Sequence, residues 1–161
     1  MINTFRSVVQ FDRVTLDPVA RRLKAAASVE DYRRIAKRRL PHGVFDYIDG
    51  GADDERTLVR NVAAFGDYEF QPRILRDVSQ LDTSTTILGR PASMPLILAP
   101  TGFTRIAHSQ GELAVARAAA RAGIPWSLST MGTRSIEEVA AVSDGDKWFQ
   151  VYTWRDRSLV R

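Results

Sequence analysis

Apolar positions Tyr32, Ile35, Ala36 and Leu40 recur at helical spacing up to Pro41, and Ser28 with Asp31 three positions on reads as a capping box that starts this helix. A second short helix is predicted over Val44 to Asp49. Gly50 and Gly51 are expected to end it, because glycine accepts the left-handed backbone of a helix C-cap at little steric cost. Asp53 is expected to cap a third helix carrying Leu58, Val59, Val62 and Phe65 on one face. Residues 67–94 read as extended and looped segments, with Tyr68 and Phe70 alternating before Pro72. Residues 1–27 show no sustained period and contain Pro18, so the expected organisation is a basic arm or lead-in over 1–27 and a folded region over 28–161.

From Pro95 the rhythm becomes strand, helix, strand, helix, strand. Leu96 to Ala99 is a continuous apolar run, as expected of a parallel strand covered on both faces, although periodicity alone does not separate it from a piece of buried helix. An alanine-rich helix is predicted from Gln110 to Ala122, stopping at Gly123. Trp126 to Ser129 is the next strand, Ser135 with Glu138 opens another capped helix, and Trp148 to Tyr152 is the third strand. Asp156 has the look of a further cap. This alternation predicts an α/β fold with a parallel sheet, either doubly wound or part of a (β/α)₈ barrel. A whole barrel takes about 250 residues, so the expectation for 161 residues is the N-terminal part of a larger protein.

Composition narrows the class. The chain is 44% hydrophobic and 26% charged and has no cysteine, which excludes a disulfide scaffold and a zinc–thiolate site. The longest apolar stretch, around Met94 to Ala99, is far short of the roughly 18–20 residues of a membrane span, and Met1 to Gln10 lacks the apolar block of a secretory signal. The expected compartment is the cytoplasm. Residues 1–40 hold 10 Lys/Arg against 4 Asp/Glu, whereas residues 41–161 hold 13 against 15. Arg21, Arg22, Lys24, Arg33, Arg34, Lys37, Arg38 and Arg39 therefore form a basic segment. A solvated helix face with a loose arm is the plainer reading; peripheral contact with the inner membrane face is the alternative, and no nucleic-acid partner is expected.

Phosphate-loop, dinucleotide-fingerprint, metalloprotease and nucleophile-elbow motifs are all absent. His42 and His108 are the only histidines, and each is read as an ordinary capping or surface residue; no metal site is expected. The chemistry-bearing positions sit where parallel strands end, since ligands of α/β folds bind at the carboxyl ends of strands. The first end supplies Pro100, Thr101 and Gly102, where a glycine lets the main chain approach a flat ligand. The second supplies Ser129 and Thr130. On the third strand Gln150 and Tyr152 are two apart and would share a face. A core reading leaves that amide and phenol in need of partners, at about 1–3 kcal/mol for each group left unpaired, and a polar heterocyclic cofactor would supply them.

Phe45-Asp46-Tyr47, Gly50 to Glu55, Pro72 to Val78, Met94-Pro95 with Ala99 to Gly102, Leu128 to Thr130 and Phe149 to Tyr152 together resemble the FMN-dependent 2-hydroxy-acid dehydrogenases and oxidases, most of all the flavin L-lactate dehydrogenases. The resemblance runs from about Ser28 to Arg161, with the motifs in order. It implies the N-terminal portion of a (β/α)₈ barrel preceded by short helices, and FMN as cofactor. It further implies that Pro100, Thr101 and Gly102 lie beside the flavin ring, that Ser129 and Gln150 hydrogen-bond it, and that Tyr47 and Tyr152 meet the substrate. A small 2-hydroxy acid such as L-lactate would be the substrate, a quinone or oxygen the electron acceptor, and a homo-oligomer the complete assembly. Gly102, where many oxidases have alanine, and Met131, where some glycolate-oxidising members have tryptophan, lean toward the dehydrogenase branch. The family's catalytic histidine base is expected beyond Arg161, so no catalytic residue is assigned within the chain and the chain by itself is expected to be inactive. An oxygen-using oxidase or monooxygenase, and a non-catalytic binding module, are the competing readings.

Overall fold

A computed structural model describes residues 16–156 and Ser158; the first part of the lead-in, with Arg6 and Arg13, lies outside the described residues. The chain forms two compact units, one reaching to Arg56 and one starting at Thr57. In the first unit α1 (Pro18–Ala25), α2 (Val29–Arg39) and α3 (His42–Asp49) follow one another closely. α1 falls in the stretch expected to lack regular structure. Asp17 caps it, accepting from the Val19 N–H at 2.9 Å, and Pro18 occupies the first helical position, where its missing N–H costs nothing. Pro18 thus starts a helix instead of precluding one. α2 begins with the predicted capping box: Asp31 N–H donates to Ser28 Oγ (3.2 Å) and Ser28 N–H donates back to the Asp31 carboxylate (3.0 Å).

Two expectations in this unit need correction. Gly50 ends α3 with extended backbone (φ −77°), not left-handed, its N–H donating to the Asp46 carbonyl at 2.9 Å. Glycine is required there for space: a Cβ would sit 2.9 Å from that same carbonyl oxygen. Nor does Asp53 stand next to a helix start. Asp53 and Glu55 both take positive φ, and α4 (Arg56–Ala63) begins only after them. The Glu55 carboxylate instead accepts from Gly51 N–H at 2.9 Å, which ties the turn together.

The second unit contains the βα rhythm. After α4 and a 3-10 turn (Ala64–Asp67) comes a hairpin absent from the sequence reading: β1 (Thr85–Ile87) pairs antiparallel with β2 (Arg90–Ala92). Leu88 and Gly89 connect them with positive φ at both positions (48° and 77°), the two-residue hairpin geometry that matches strand twist. The predicted strand Leu96 to Ala99 is reduced to a parallel bridge at Leu98, whose N–H donates to Pro125 O (3.1 Å) and whose carbonyl accepts from Ser127 N–H (3.1 Å). A 3-10 turn (Thr104–Ile106), α5 (Glu112–Ala122), β3 (Trp126–Leu128), α6 (Ile136–Ala141) and β4 (Lys147–Phe149) complete the unit. α5 stops at Gly123, which is left-handed as expected (φ 65°). β3 and β4 are parallel, so the order across the sheet is Leu98 segment, β3, β4. β4 ends at Phe149, three residues short of the predicted strand.

Ala116 and Ala119 of α5, Ile124, Trp126 and Leu128 at β3, and Val139 of α6 form the buried core, so the alanine-rich face of α5 covers the sheet. The Ser135–Glu138 capping box sets α6 over the same core. No helix among the described residues is long and apolar enough to cross a membrane.

Candidate flavin and substrate site

β3 delivers Ser129 and Thr130 to its carboxyl end, and β4 delivers Gln150 one residue past its last strand position. Gln150 N–H donates to Leu128 O at 2.9 Å, which continues the ladder by one bond and fixes Gln150 opposite Ser129. The buried Ser129 hydroxyl then donates to Gln150 Oε1 (3.0 Å), and Thr130 N–H donates to the same oxygen (3.3 Å). Thr130 Oγ1 donates to the Gln150 carbonyl and accepts from Tyr152 N–H (3.2 Å). Gln150 Oε1 is thereby used twice within the protein, while its amide NH₂ makes no hydrogen bond to any described residue. The side chain is oriented as a donor.

The first strand end joins through Met131. Met131 N–H donates to Ser129 Oγ (3.1 Å), and Met131 O accepts from Phe103 N–H (3.0 Å). A Cβ added at Gly102 would lie 3.0 Å from Met131 Cβ and 3.8 Å from Ser129 Oγ, so the absent side chain is what lets the 100–103 segment lie against the second strand end. Phe103 holds a left-handed backbone (φ 53°), an unfavourable state for a bulky residue that its bond to Met131 helps impose. Gly102, Ser129, Gln150 and Tyr152 are thus gathered at one end of the sheet. Pro100 is half-buried, whereas Thr101 and Tyr152 are exposed. Because β4 stops at Phe149, alternation along a strand does not place Tyr152 beside Gln150; the Thr130 hydroxyl positions its main chain instead. Tyr47 lies on α3 in the first unit and is exposed.

Both histidines are engaged locally. His42 Nδ1 lies 2.7 Å from an Asp46 carboxylate oxygen on the same helix turn, and His108 Nδ1 accepts from Gln110 N–H at 3.2 Å.

Glu112 and Thr133 are a supporting pair that sequence reasoning missed. Glu112, 1% exposed at the start of α5, accepts from Thr133 N–H and Thr133 Oγ1, each at 2.7 Å, and so anchors the loop that follows Met131. Burial pushes its carboxyl pKa up, but the hydrogen bonds it accepts, those from Thr133 foremost with its own backbone N–H and Thr104 adding to them, together hold it below its ordinary value of 4.5. A carboxyl depressed in the folded state contributes stability that is complete above about pH 4.5 and is lost as pH falls through the folded value. Glu112→Ala, which strands both Thr133 donors, is expected to lower stability at pH 7 by about 1–3 kcal/mol and to flatten that acid dependence, as read from urea midpoints between pH 3 and 7.

The FMN-dependent dehydrogenase family matches residues 36–161. A Mycobacterium tuberculosis protein provisionally assigned as an L-lactate dehydrogenase is 54% identical over 159 residues, covering 96% of this chain and 38% of that protein. Glycolate oxidase of Spinacia oleracea is 47% identical over 133 residues, covering 83% of the chain and 36% of the oxidase. Among solved structures, a soluble mutant of the membrane-associated (S)-mandelate dehydrogenase of Pseudomonas putida superposes with a TM-score of 0.73 at 48% identity, over 77% of this chain and 36% of that one. The chain therefore spans well under half the length of these relatives. Their fold is a TIM barrel, and the helices and parallel strands described above are its N-terminal portion. By sequence and by structure, the chain belongs to the FMN-dependent dehydrogenases, oxidoreductases of 2-hydroxy acids that use FMN.

Proposed function

We propose that the chain supplies the flavin-facing and part of the substrate-facing surface of an L-2-hydroxy-acid dehydrogenase, with L-lactate as substrate. The observation that carries this reading is the end of β3 closing on Gln150, whose amide oxygen is held within the protein while its NH₂ is left to donate. That arrangement suits FMN: a flat ring edged with carbonyl oxygens and ring nitrogens needs donors on its rim, and the Gln150 amide offers one, while Gly102 lets its segment pack against the second strand end. When bound, FMN supplies the two-electron acceptor that turns the alcohol carbon of the acid into a 2-oxo carbon. Gln150 would be preorganised to stabilise negative charge on the ring, since the Ser129 hydroxyl and the Thr130 N–H fix its amide dipole before the reaction begins; Ser129 contributes through Gln150, its one proton being spent there. Tyr152 would orient the hydroxy acid through its phenol, a contribution from positioning and not from proton removal.

L-Lactate is favoured over glycolate and mandelate by the relative 54% identical to this chain. The measurement is kcat/KM for L-lactate, glycolate and L-mandelate with an artificial dye acceptor, using the complete barrel. L-Lactate is expected to lead, and a higher value for either competitor would reassign the substrate. Repeating the assay with oxygen as sole acceptor separates dehydrogenase from oxidase. The reading extends to location: we infer a peripheral association with membranes, supported by the basic N-terminal segment and by the membrane-associated relative.

A further inference from the structure

α1 and α2 meet along an open groove of about 270 Å³ whose lining includes Arg22 and Ala25 from α1 and Asp31, Arg34, Ile35 and Arg38 from α2. The spacing explains it: Arg22 and Ala25 are three apart, and Asp31, Arg34, Ile35 and Arg38 follow the helical repeat, so each set shares a face. The cations of α2 divide into two groups. Arg33 pairs with Asp49 and Glu30, and the Lys37 ammonium stands 5.7 Å over the Phe45 ring, so both are used inside the unit. On the groove side Arg34 pairs with Asp31, whereas Arg22 and Arg38 form no ion pair with any described residue. Three guanidinium groups and one carboxylate leave the groove with a net charge of +2.

We propose that this groove receives the phosphate group of an anionic lipid and is the point at which the first unit docks on a negatively charged membrane surface. The proposal rests on the peripheral reading given above and specifies where the contact is made. Guanidinium groups are suited to phosphate, because their forked donors match two oxygens at once. Ala25 and Ile35 in the same lining give apolar surface for the part of a lipid next to its phosphate. Leu23, Val29 and Tyr32 are exposed on the same two helices, which gives short basic elements the apolar side chains that an interfacial contact buries. Arg21, Lys24 and Arg39 extend the positive field around the groove.

The test is flotation of the full chain with vesicles of phosphatidylglycerol and phosphatidylcholine, or of phosphatidylcholine alone; flotation separates vesicle-bound protein from aggregate, which sinks. The chain is expected to float with the anionic vesicles only, and to be released at high salt, where charges are screened within a few ångströms. Arg22→Gln with Arg38→Gln is expected to weaken partitioning roughly 25-fold, about fivefold per cation. Removing two exposed cations of the second unit, Arg60→Gln with Arg73→Gln, is expected to leave it within about twofold. Equal losses from the two double variants would overturn the groove while leaving peripheral association standing, because net charge alone would then explain binding. No flotation of the unaltered chain would overturn the peripheral reading itself. Release by millimolar inorganic phosphate at constant ionic strength would overturn the lipid assignment in favour of a soluble phosphate ligand, and release by an oligonucleotide but not by phosphate would point to nucleic acid instead.

Discussion

Tyr152→Phe, placed in the complete barrel, is expected to slow L-lactate turnover roughly ten- to hundredfold with flavin content nearly normal, while Gln150→Ala is expected to lose flavin. The first magnitude is that of one hydrogen bond to a charged group, about 1.5–3 kcal/mol. Removing the phenol oxygen leaves the Tyr152 main chain tied to Thr130 Oγ1, so the ring connected to Gln150 is undisturbed. Gln150→Ala acts differently. It removes the proposed donor to the flavin and also strands the Ser129 hydroxyl and the Thr130 N–H, each a loss of about 1–3 kcal/mol when buried. Flavin-to-protein ratio from absorbance, measured beside kcat and KM, separates the two. A Tyr152→Phe protein that purifies without flavin but retains its affinity for lactate would show that the two roles have been exchanged.

The 161-residue chain expressed alone is expected to show no lactate-dependent dye reduction and no stoichiometric FMN. Its two histidines are held by Asp46 and by Gln110, and neither lies in the ring of residues around Gln150, so the proton of the substrate hydroxyl has no histidine base to take it. Phe65, Tyr68, Phe70, Ile74 and Leu75 are all largely exposed, an apolar surface that favours self-association. The check is to add FMN to the purified chain and follow both the flavin absorbance band and reduction of a dye by L-lactate. Stoichiometric binding with turnover would show that residues within this chain suffice for catalysis.

What could be read from the sequence was whatever local chemistry decides. Both capping boxes, at Ser28 and Ser135, are written within four residues, and the end of α5 at Gly123 needs only one glycine after an apolar period. The strand order Leu98, β3, β4 followed from apolar runs separated by helices. The hairpin of β1 and β2 was hidden because its turn puts Leu88, a residue with no preference for positive φ, where asparagine or aspartate usually signals the geometry. Gly50 misled for a related reason: glycine marks either unusual dihedral angles or close approach, and the sequence does not say which. At the site, the strand-end positions of Ser129 and Gln150 were legible, but the stapling by Met131 was not, since its main chain and not its side chain makes both bonds. Glu112 looks in sequence like any acidic residue in a first helical turn. Only the return of Thr133 from the end of β3 makes it buried and necessary.

The ring of hydrogen bonds around Gln150 also sets a timetable. Its members emerge from the ribosome in a fixed order: the Gly102 segment, then Ser129 to Met131, and Gln150 last. The bonds from Phe103 to Met131 and from Ser127 to Leu98 need no residue beyond Met131. The Ser129 hydroxyl and the Thr130 N–H, however, have no acceptor in this ring until β4 has paired and delivered the Gln150 amide. A nascent chain that ends before Gln150 therefore lacks the acceptor that closes the rim, and flavin capture is expected to wait for β4 during synthesis.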